Sequence, residues 1–491
     1  MTTKVETPVR TQRPYLTAVL SAFIGAIVVG VWGLVLYQSV FVHMVWEDEA
    51  FNLTVVRNMA EGLGYTSDGV LSGNELAPFD VRISTGPVVL LPAALLGGIG
   101  VDLVLAARIV VALYAVLLAM GLYVLGARLH RSGEAERQPG ISWVGLLAAL
   151  TPLTFNTWLT ISPIQGPADV LGEFPAAALL VWALIWLDRK PWLAGLLVGL
   201  AIQAKFISVL ALPAFAVGVL LQGPVKLRER SGRLFKAAVF VALPSFVYEA
   251  WVFISLGWWR FRYEHLRDFG SFLLHGYDYG SSPLNKLATF FQAWFLPEIL
   301  AIALPFLVMG VCVWLWIRRG RRLGSRTVTL LVAALAWLTY VGWWVSSTST
   351  PVWVRHPAIG VIAFTPVLVA GACTLLSEEA GRGKLRYVSR VTLASLLLGL
   401  VVQVSGYVDG QLAPGYSLDT QRAEAVELST TDESVAVPWG LTVSMGVLTG
   451  AHVVNLDGPD ETWRGLDRIL PAGGCIDPIR MTANFVRCSA L

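Results

Sequence analysis

Charge is scarce in this chain. Only 14% of its 491 residues are charged, where a soluble protein of this size carries roughly a quarter. Together with 55% hydrophobic residues and a mean hydropathy of +0.65, this excludes an ordinary soluble fold. Also absent are a Walker-type phosphate loop, a dinucleotide glycine fingerprint and a zinc-type cysteine spacing, so the usual sequence marks of nucleotide and zinc enzymes are missing. There is no internal repeat and no low-complexity tract. A net charge of +3 carries no message about partners, and no nucleic-acid partner is expected. Cysteine is rare, with four in the chain. Cys312 and Cys373 fall in apolar runs and read as packing residues. Cys475 and Cys488 fall in the polar tail; in an oxidising compartment they are expected to close a short disulfide loop, the alternative being two free thiols.

What is abundant is apolar sequence in runs near or above 18 residues, the length of a membrane-spanning helix. About eleven spans are expected, at 15–42, 101–127, 141–161, 170–187, 191–204, 206–222, 234–256, 296–317, 327–346, 357–376 and 391–406. Six basic segments separate them: Lys4 to Arg13, Arg128 to Arg137, Asp188 to Lys190, Lys226 to Lys236, Arg318 to Arg326 and Arg382 to Arg390. They hold 22 of the 36 Lys and Arg, but with their flanks only 7 of the 33 acids. By the positive-inside rule these segments are cytoplasmic. The first span lacks a small-residue cleavage site and reads as retained. The N-terminus is then expected inside and the C-terminus outside.

The expected architecture is an all-α polytopic membrane module, 1–406, followed by a small extracytoplasmic α/β domain, 407–491. In the first outer loop, 43–100, amphipathic stretches suggest helices along the membrane interface. Trp258, Trp259, Phe261 and Tyr263 suggest an aromatic interfacial belt. In the tail, Ser434 to Pro438 and His452 to Leu456 read as buried strands. Leu418 to Leu428 and Glu461 to Leu470 read as amphipathic helices.

The charges that remain outside are few and clustered. Glu47-Asp48-Glu49 follows the first span directly, and acids at that depth are costly unless they face a polar cavity. The bland alternative is a solvated helix N-terminus, where acids are favourable, with Arg57 pairing one of them. Lys205 lies within the apolar stretch Pro191 to Leu221, whose flanks are both basic, so the chain must turn back near it. An ammonium there wants an anion, unless it snorkels or pairs with a nearby acid. Arg355 and His356 stand at the outer end of a later span, where an arginine suits bidentate phosphate binding or simply anchors the interface. Asp169 and Glu173, one helical turn apart, either extend the acidic cavity or cap a helix. Arg82 closes the first outer loop and is expected to face the same cavity.

Asp48-Glu49-Ala50 with Arg57-Asn58-Met59-Ala60-Glu61-Gly62, directly after the first span, resembles the first outer loop of GT-C fold glycosyltransferases. The likeness is to the protein O-mannosyltransferase and lipid A aminoarabinose transferase superfamily. Ser84-Thr85-Gly86-Pro87, Ala106-Ala107-Arg108, Gly172-Glu173-Phe174-Pro175, Gly199-Leu200-Ala201 with Lys205, and Arg355-His356 are similar too, over most of residues 15–376. The resemblance implies sugar transfer at the outer face of a bacterial-type plasma membrane, from a polyprenyl-phosphate sugar donor to a glycan, lipid or protein acceptor. It implies Asp48 as the general base, with Glu49 orienting the acceptor or helping to bind a cation. Arg355, Lys205, Arg82 and His356 would bind the donor phosphate, while Glu47, Asp169 and Glu173 line the acceptor cavity. A divalent metal at these acids is left open. His356 stands where Tyr is common, and Arg82 stands near an expected lysine. A transporter or flippase of lipid-linked sugars is the rival reading, and a non-catalytic scaffold a third.

Overall fold

The computed structural model describes residues 13–69, 76–130, 141–155, 162–222, 226–275, 280–293, 303, 305–310, 317, 324–382, 386–412, 415–429 and 432–490. Lys4, Arg10 and Cys312, most of the expected span 296–317, and parts of the basic segments after Arg128, Arg318 and Arg382 lie outside them. Among the described residues, six helices are long and apolar enough to cross a membrane: Ser21–Val42, Leu103–His130, Arg228–Ser271, Ser325–Ser346, Arg355–Ser377 and Tyr387–Leu412. The shorter apolar helices Trp143–Thr154, Glu173–Trp186, Pro191–Ala204 and Phe206–Leu221 match four more expected spans. Pro87–Gly98, also apolar, was not among them. The chain is an integral membrane protein.

Helix α1 (Arg13–Tyr37) runs into a π turn at Gln38–Val42, and the chain then extends through His43 before α2 (Glu47–Ala60) begins. Next come α3 (Pro87–Gly98), α4 (Leu103–His130) and α5 (Trp143–Leu150). Helices α6 (Glu173–Trp186), α7 (Pro191–Ala204) and α8 (Leu212–Leu221) follow. Helix α9 (Leu227–Arg260) is long, and α10 (Leu266–His275) and α11 (Pro283–Ala293) are amphipathic. Helices α12 (Ser325–Ser346) and α13 (Arg355–Arg382) form a hairpin, and α14 (Arg386–Leu412) leads into the tail.

Small residues let the helices approach closely, the usual device where lipid offers no hydrophobic drive. A Cβ on Gly360 would meet the Tyr340 ring at 2.5 Å, and one on Gly195 would meet the Ala237 carbonyl at 2.3 Å. Polar ties gather residues of the basic segments at one end of the bundle. Arg128 donates to Ile185 O at 3.0 Å, Arg233 to Asp188 O at 3.2 Å, and Ser325 Oγ to Asp188 Oδ2 at 3.0 Å. Arg108 lies toward the other end of α4, 20 residues from Arg128, or about 30 Å at 1.5 Å per residue.

Helix α2 departs from the expected interfacial helix. Every residue from Glu49 to Asn58 is buried, because α2 lies between α3 and α4 on one side and the tail on the other. The tail contains α15 (Leu418–Glu427), α16 (Leu441–Leu448) and the short α17 (Asp460–Trp463). A short ladder in the first loop pairs β1 (Thr66–Ser67) with β2 (Ala77–Pro78). The tail strands are β3 (Ser434–Val437), β4 (His452–Asn455), β5 (Arg468–Pro471), β6 (Pro478–Met481) and β7 (Phe485–Cys488). They form one sheet in the order β4-β3-β5-β7-β6, parallel at β4-β3-β5 and antiparallel beyond. The helix expected over Glu461 to Leu470 is replaced by α17 and β5. Gly465, at φ 92°, turns the chain, and Ile469 is then buried in the sheet. Cys475 and Cys488 are disulfide-bonded, and Cys373 is buried.

Candidate functional site

Two glycines bring the site's segments together. Gly86 donates its amide to Ala204 O at 3.0 Å, and a Cβ there would sit 2.0 Å from Gln203 O. Gly172, at φ 81°, starts α6 in the left-handed region, where a Cβ would lie 2.6 Å from Ala204 O. Only glycine fits such a combination of φ and close approach. Both segments therefore close on the break between α7 and α8, where Lys205 is extended (φ −154°, ψ 118°).

The Lys205 ammonium is 2.7 Å from Glu173 Oε1 and donates to Leu171 O at 2.6 Å and Ser84 Oγ at 3.3 Å. It is 9% exposed, so its charge depends on that partner set. Asp48 and Arg355 are further charges in its field. Asn52, one helical turn beyond Asp48, donates to Val170 O at 2.6 Å and Thr85 Oγ1 at 3.1 Å. This registers α2 against the same two loops.

Arg355 forms an ion pair and hydrogen bond with Asp48 Oδ2. Its guanidinium lies 4.7 Å from the Trp353 ring centroid and 5.5 Å from that of Trp46, within cation–π range. The His356 ring is 5.6 Å from Trp353 and 6.3 Å from Trp343. The turn that delivers Arg355 is held from α11. Buried Lys286 donates to Trp344 O at 2.9 Å, to Ser347 O, and to Thr350 Oγ1 at 2.8 Å. It thereby satisfies carbonyls that the C-terminus of α12 leaves open.

Glu49 has a different surrounding. Arg108 grips both its oxygens at 2.7 Å and also donates to His43 O at 2.7 Å and Met44 O at 2.9 Å. Both side chains are fully buried. Asp169 adjoins this pair, is buried, and accepts from the Gln165 amide at 2.6 Å. Burial, and then the neighbouring Glu49 charge, push the Asp169 carboxyl up. Glu47 is half-buried; burial raises its carboxyl, with Asp48 adding and Arg355 opposing. The Arg82 side chain is exposed and its amide donates to Asp80 Oδ1 at 3.0 Å.

The structure thus brings Asp48 to Arg355, Lys205 to Glu173, and Glu49 to Arg108 and Asp169. Arg57 joins none of the acidic triplet. It pairs with Asp68 and donates to Ala451 O at 2.7 Å. Asp68 also accepts from Asn58 at 2.9 Å and the Val453 amide at 2.9 Å, and its Oδ1 lies 3.1 Å from His452 Nδ1. Burial pushes the Asp68 carboxyl up, but His452, Arg57, Val453 and Asn58 together hold it below the ordinary range.

Asp68, Lys286, Trp46 and Trp353 carry no local signal in the sequence, and His452 shows only as the start of an expected strand. Arg108 did carry one, a lone charge inside an apolar span. Among the described residues, no group of three His, Cys, Asp or Glu is placed to hold a metal.

No family model and no curated protein sequence matches this chain. Solved structures do. ArnT from Cupriavidus metallidurans bound to undecaprenyl phosphate is 12% identical, with TM-score 0.56 over 97% of this chain and 98% of that one. The same protein in the apo state gives 12% and 0.56 over 95% and 97%. The Archaeoglobus fulgidus oligosaccharyltransferase in the apo form is 11% identical, with TM-score 0.51 over 92% of this chain and 65% of that one. The chain has the GT-C fold that the order of its motifs over residues 15–376 implied.

Proposed function

We propose that this protein transfers a sugar from a polyprenyl-phosphate donor to a hydroxyl acceptor, with the site at the outer face of the membrane. The observation that carries the reading is Asp48 set against two cations, Arg355 and Lys205, in a chain of this fold. That one solved structure of this fold holds undecaprenyl phosphate supports the donor class.

In this reading Asp48 takes the proton of the acceptor hydroxyl, a role worth roughly 10²–10⁴-fold in rate. The acceptor oxygen attacks the anomeric carbon. The bond from that carbon to the phosphate oxygen breaks, and the electron pair leaves on the phosphate. Attack opposite the leaving group inverts the anomeric centre. Fixed cations are what a developing phosphate charge requires, and Arg355 offers a fork for two oxygens. Lys205 has its three donors placed on Glu173, Leu171 and Ser84, of which the Ser84 contact is the longest. A phosphate oxygen would replace Ser84 with least loss. His356, beside Arg355, belongs to the same phosphate end, and exposed Arg82, two residues before Ser84, to its rim.

Glu49 is assigned here to holding the strap before α2, because Arg108 occupies both its oxygens. Glu173 neutralises Lys205, and Glu47 and Asp169 flank the acceptor side. Arg355 and Arg108 already supply positive charge at Asp48 and Glu49, so transfer is expected to persist in EDTA. Loss of activity in EDTA that magnesium or manganese restores would instead assign Glu47 and Asp48 to a metal. By the positive-inside rule the N-terminus is assigned to the cytoplasm, and the α/β tail that follows α14 to the outside. The reading is tested by incubating purified protein in nanodiscs with a panel of polyprenyl-phosphate sugars and crude membrane acceptors. Release of free polyprenyl phosphate with one donor supports it; release with none, from folded protein, rejects it.

A further inference from the structure

One oxygen of the carboxylate that the proposed chemistry needs is engaged. Asp48 Oδ2 accepts from Arg355 Nη1, and the two side chains are 21% and 9% exposed. While Arg355 holds it, Oδ2 faces a cation and not an acceptor hydroxyl. The guanidinium in turn lies over two aromatic rings, Trp46 at 5.5 Å and Trp353 at 4.7 Å. Cation–π attraction acts across each face without fixing the direction of the N–H bonds within the plane. These contacts therefore hold Arg355 in place while leaving its hydrogen bond to Asp48 exchangeable. Lys205 is pinned on Glu173, Leu171 and Ser84. Arg355 is the cation of the pair built to change partner.

We propose that the Arg355–Asp48 pair is a latch opened by the phosphate of the lipid donor, so that Asp48 Oδ2 becomes available to the acceptor only after the donor is seated. The inference rests on the assignment of Asp48 as the base. A phosphate presents two oxygens to the guanidinium fork where Asp48 Oδ2 presents one, and bidentate charge-assisted pairs are the stronger kind. With the latch open, the hydroxyl proton moves to Asp48, the new bond to the anomeric carbon forms, and the old one breaks with its electron pair on the phosphate. The leaving polyprenyl phosphate keeps Arg355 until it departs. Arg355 then returns to Asp48, whose proton passes to water, and the cycle is reset. Donor binds before acceptor, and polyprenyl phosphate leaves last.

The test reads the carboxylate directly and needs no turnover. Protein in nanodiscs is treated with a carbodiimide and an amine, and modification of Asp48 is followed by peptide mass spectrometry. The treatment is run with undecaprenyl phosphate, with undecaprenol and with neither. The expected result is slow modification of Asp48 in the wild type alone or with undecaprenol. Saturating undecaprenyl phosphate should speed it about tenfold, the ratio for losing about 1.4 kcal/mol of pairing. Arg355→Ala should be modified fast under all three conditions. Arg355→Lys, which keeps the charge but loses the fork, should respond weakly to the lipid phosphate. Fast modification of the unliganded wild type overturns the latch. So does an unchanged rate in protein to which radiolabelled undecaprenyl phosphate binds, and so does failure of that lipid to bind at all. Sugar transfer with no change at Asp48 retains the proposed function and removes the latch. A lipid-dependent change at Asp48 with no transfer from any donor retains the latch and removes the proposed function.

Discussion

At the scale of single residues, three acids that are neighbours in sequence have three different surroundings. Glu47 is half-buried, Asp48 faces Arg355, and Glu49 is locked on Arg108. Breaking a fully buried pair leaves a charge stranded, at a cost of about 3–5 kcal/mol. Glu49→Gln is therefore expected to lower the thermal midpoint in detergent sharply, and Glu47→Gln to leave it nearly unchanged. Equal midpoints for the two variants would contradict the assignment of Glu49 to holding the strap. Arg355→Ala is expected to weaken undecaprenyl phosphate binding at least about tenfold, in line with the worth of a hydrogen bond to a charged group. Unchanged affinity would move the phosphate site elsewhere.

At the scale of elements, α2 is held at both ends. Arg108 ties the strap before it to α4, while Gln421 brackets Val45 with bonds of 2.7 and 2.8 Å. At the far end, Arg57 and Asn58 meet Asp68 and His452. Asp68 gives this joint a pH dependence. Its carboxyl is lower in the folded protein than in the unfolded chain. The stabilisation it supplies is thus fully present above the ordinary carboxylate range and is lost as pH falls through the lowered folded value. Protease protection of residues 441–455 should hold through neutral and mildly acidic pH and fall below that range. Asp68→Asn should lack this step, and the same acid step in Asp68→Asn would assign it to another group.

The break at Lys205 and the position of Arg355 were legible in the sequence because a charge in an apolar run is a local signal. The disulfide was legible as a pair of cysteines in a polar tail. The bond from Arg57 to the tail was not legible, since Ala451 is 394 residues away along the chain. Nor was the strand at Arg468–Pro471. Its alternation is as consistent with a helix face until β3 and β7 supply hydrogen bonds on both sides. Burial of α2 escaped for the same reason, because the surface that covers it comes from the other end of the chain.

At the scale of the molecule, the bundle separates two chemistries. One end carries Arg128, Arg233 and their carbonyl ties, and the other carries Asp48, Lys205 and Arg355. A site at one face of the bundle, set among helices, suits a substrate with an isoprenoid tail and a charged head. Fold similarity at 11–12% identity reaches the architecture and leaves the chemistry to these residues. The most direct test compares wild type with Asp48→Asn in nanodiscs, measuring release of polyprenyl phosphate from its sugar donor alongside binding of undecaprenyl phosphate. The account predicts that the variant loses release by about 10²-fold or more, the low end for a general base, while still binding the lipid. Near-normal release by Asp48→Asn would remove Asp48 from the role of base and contradict the account.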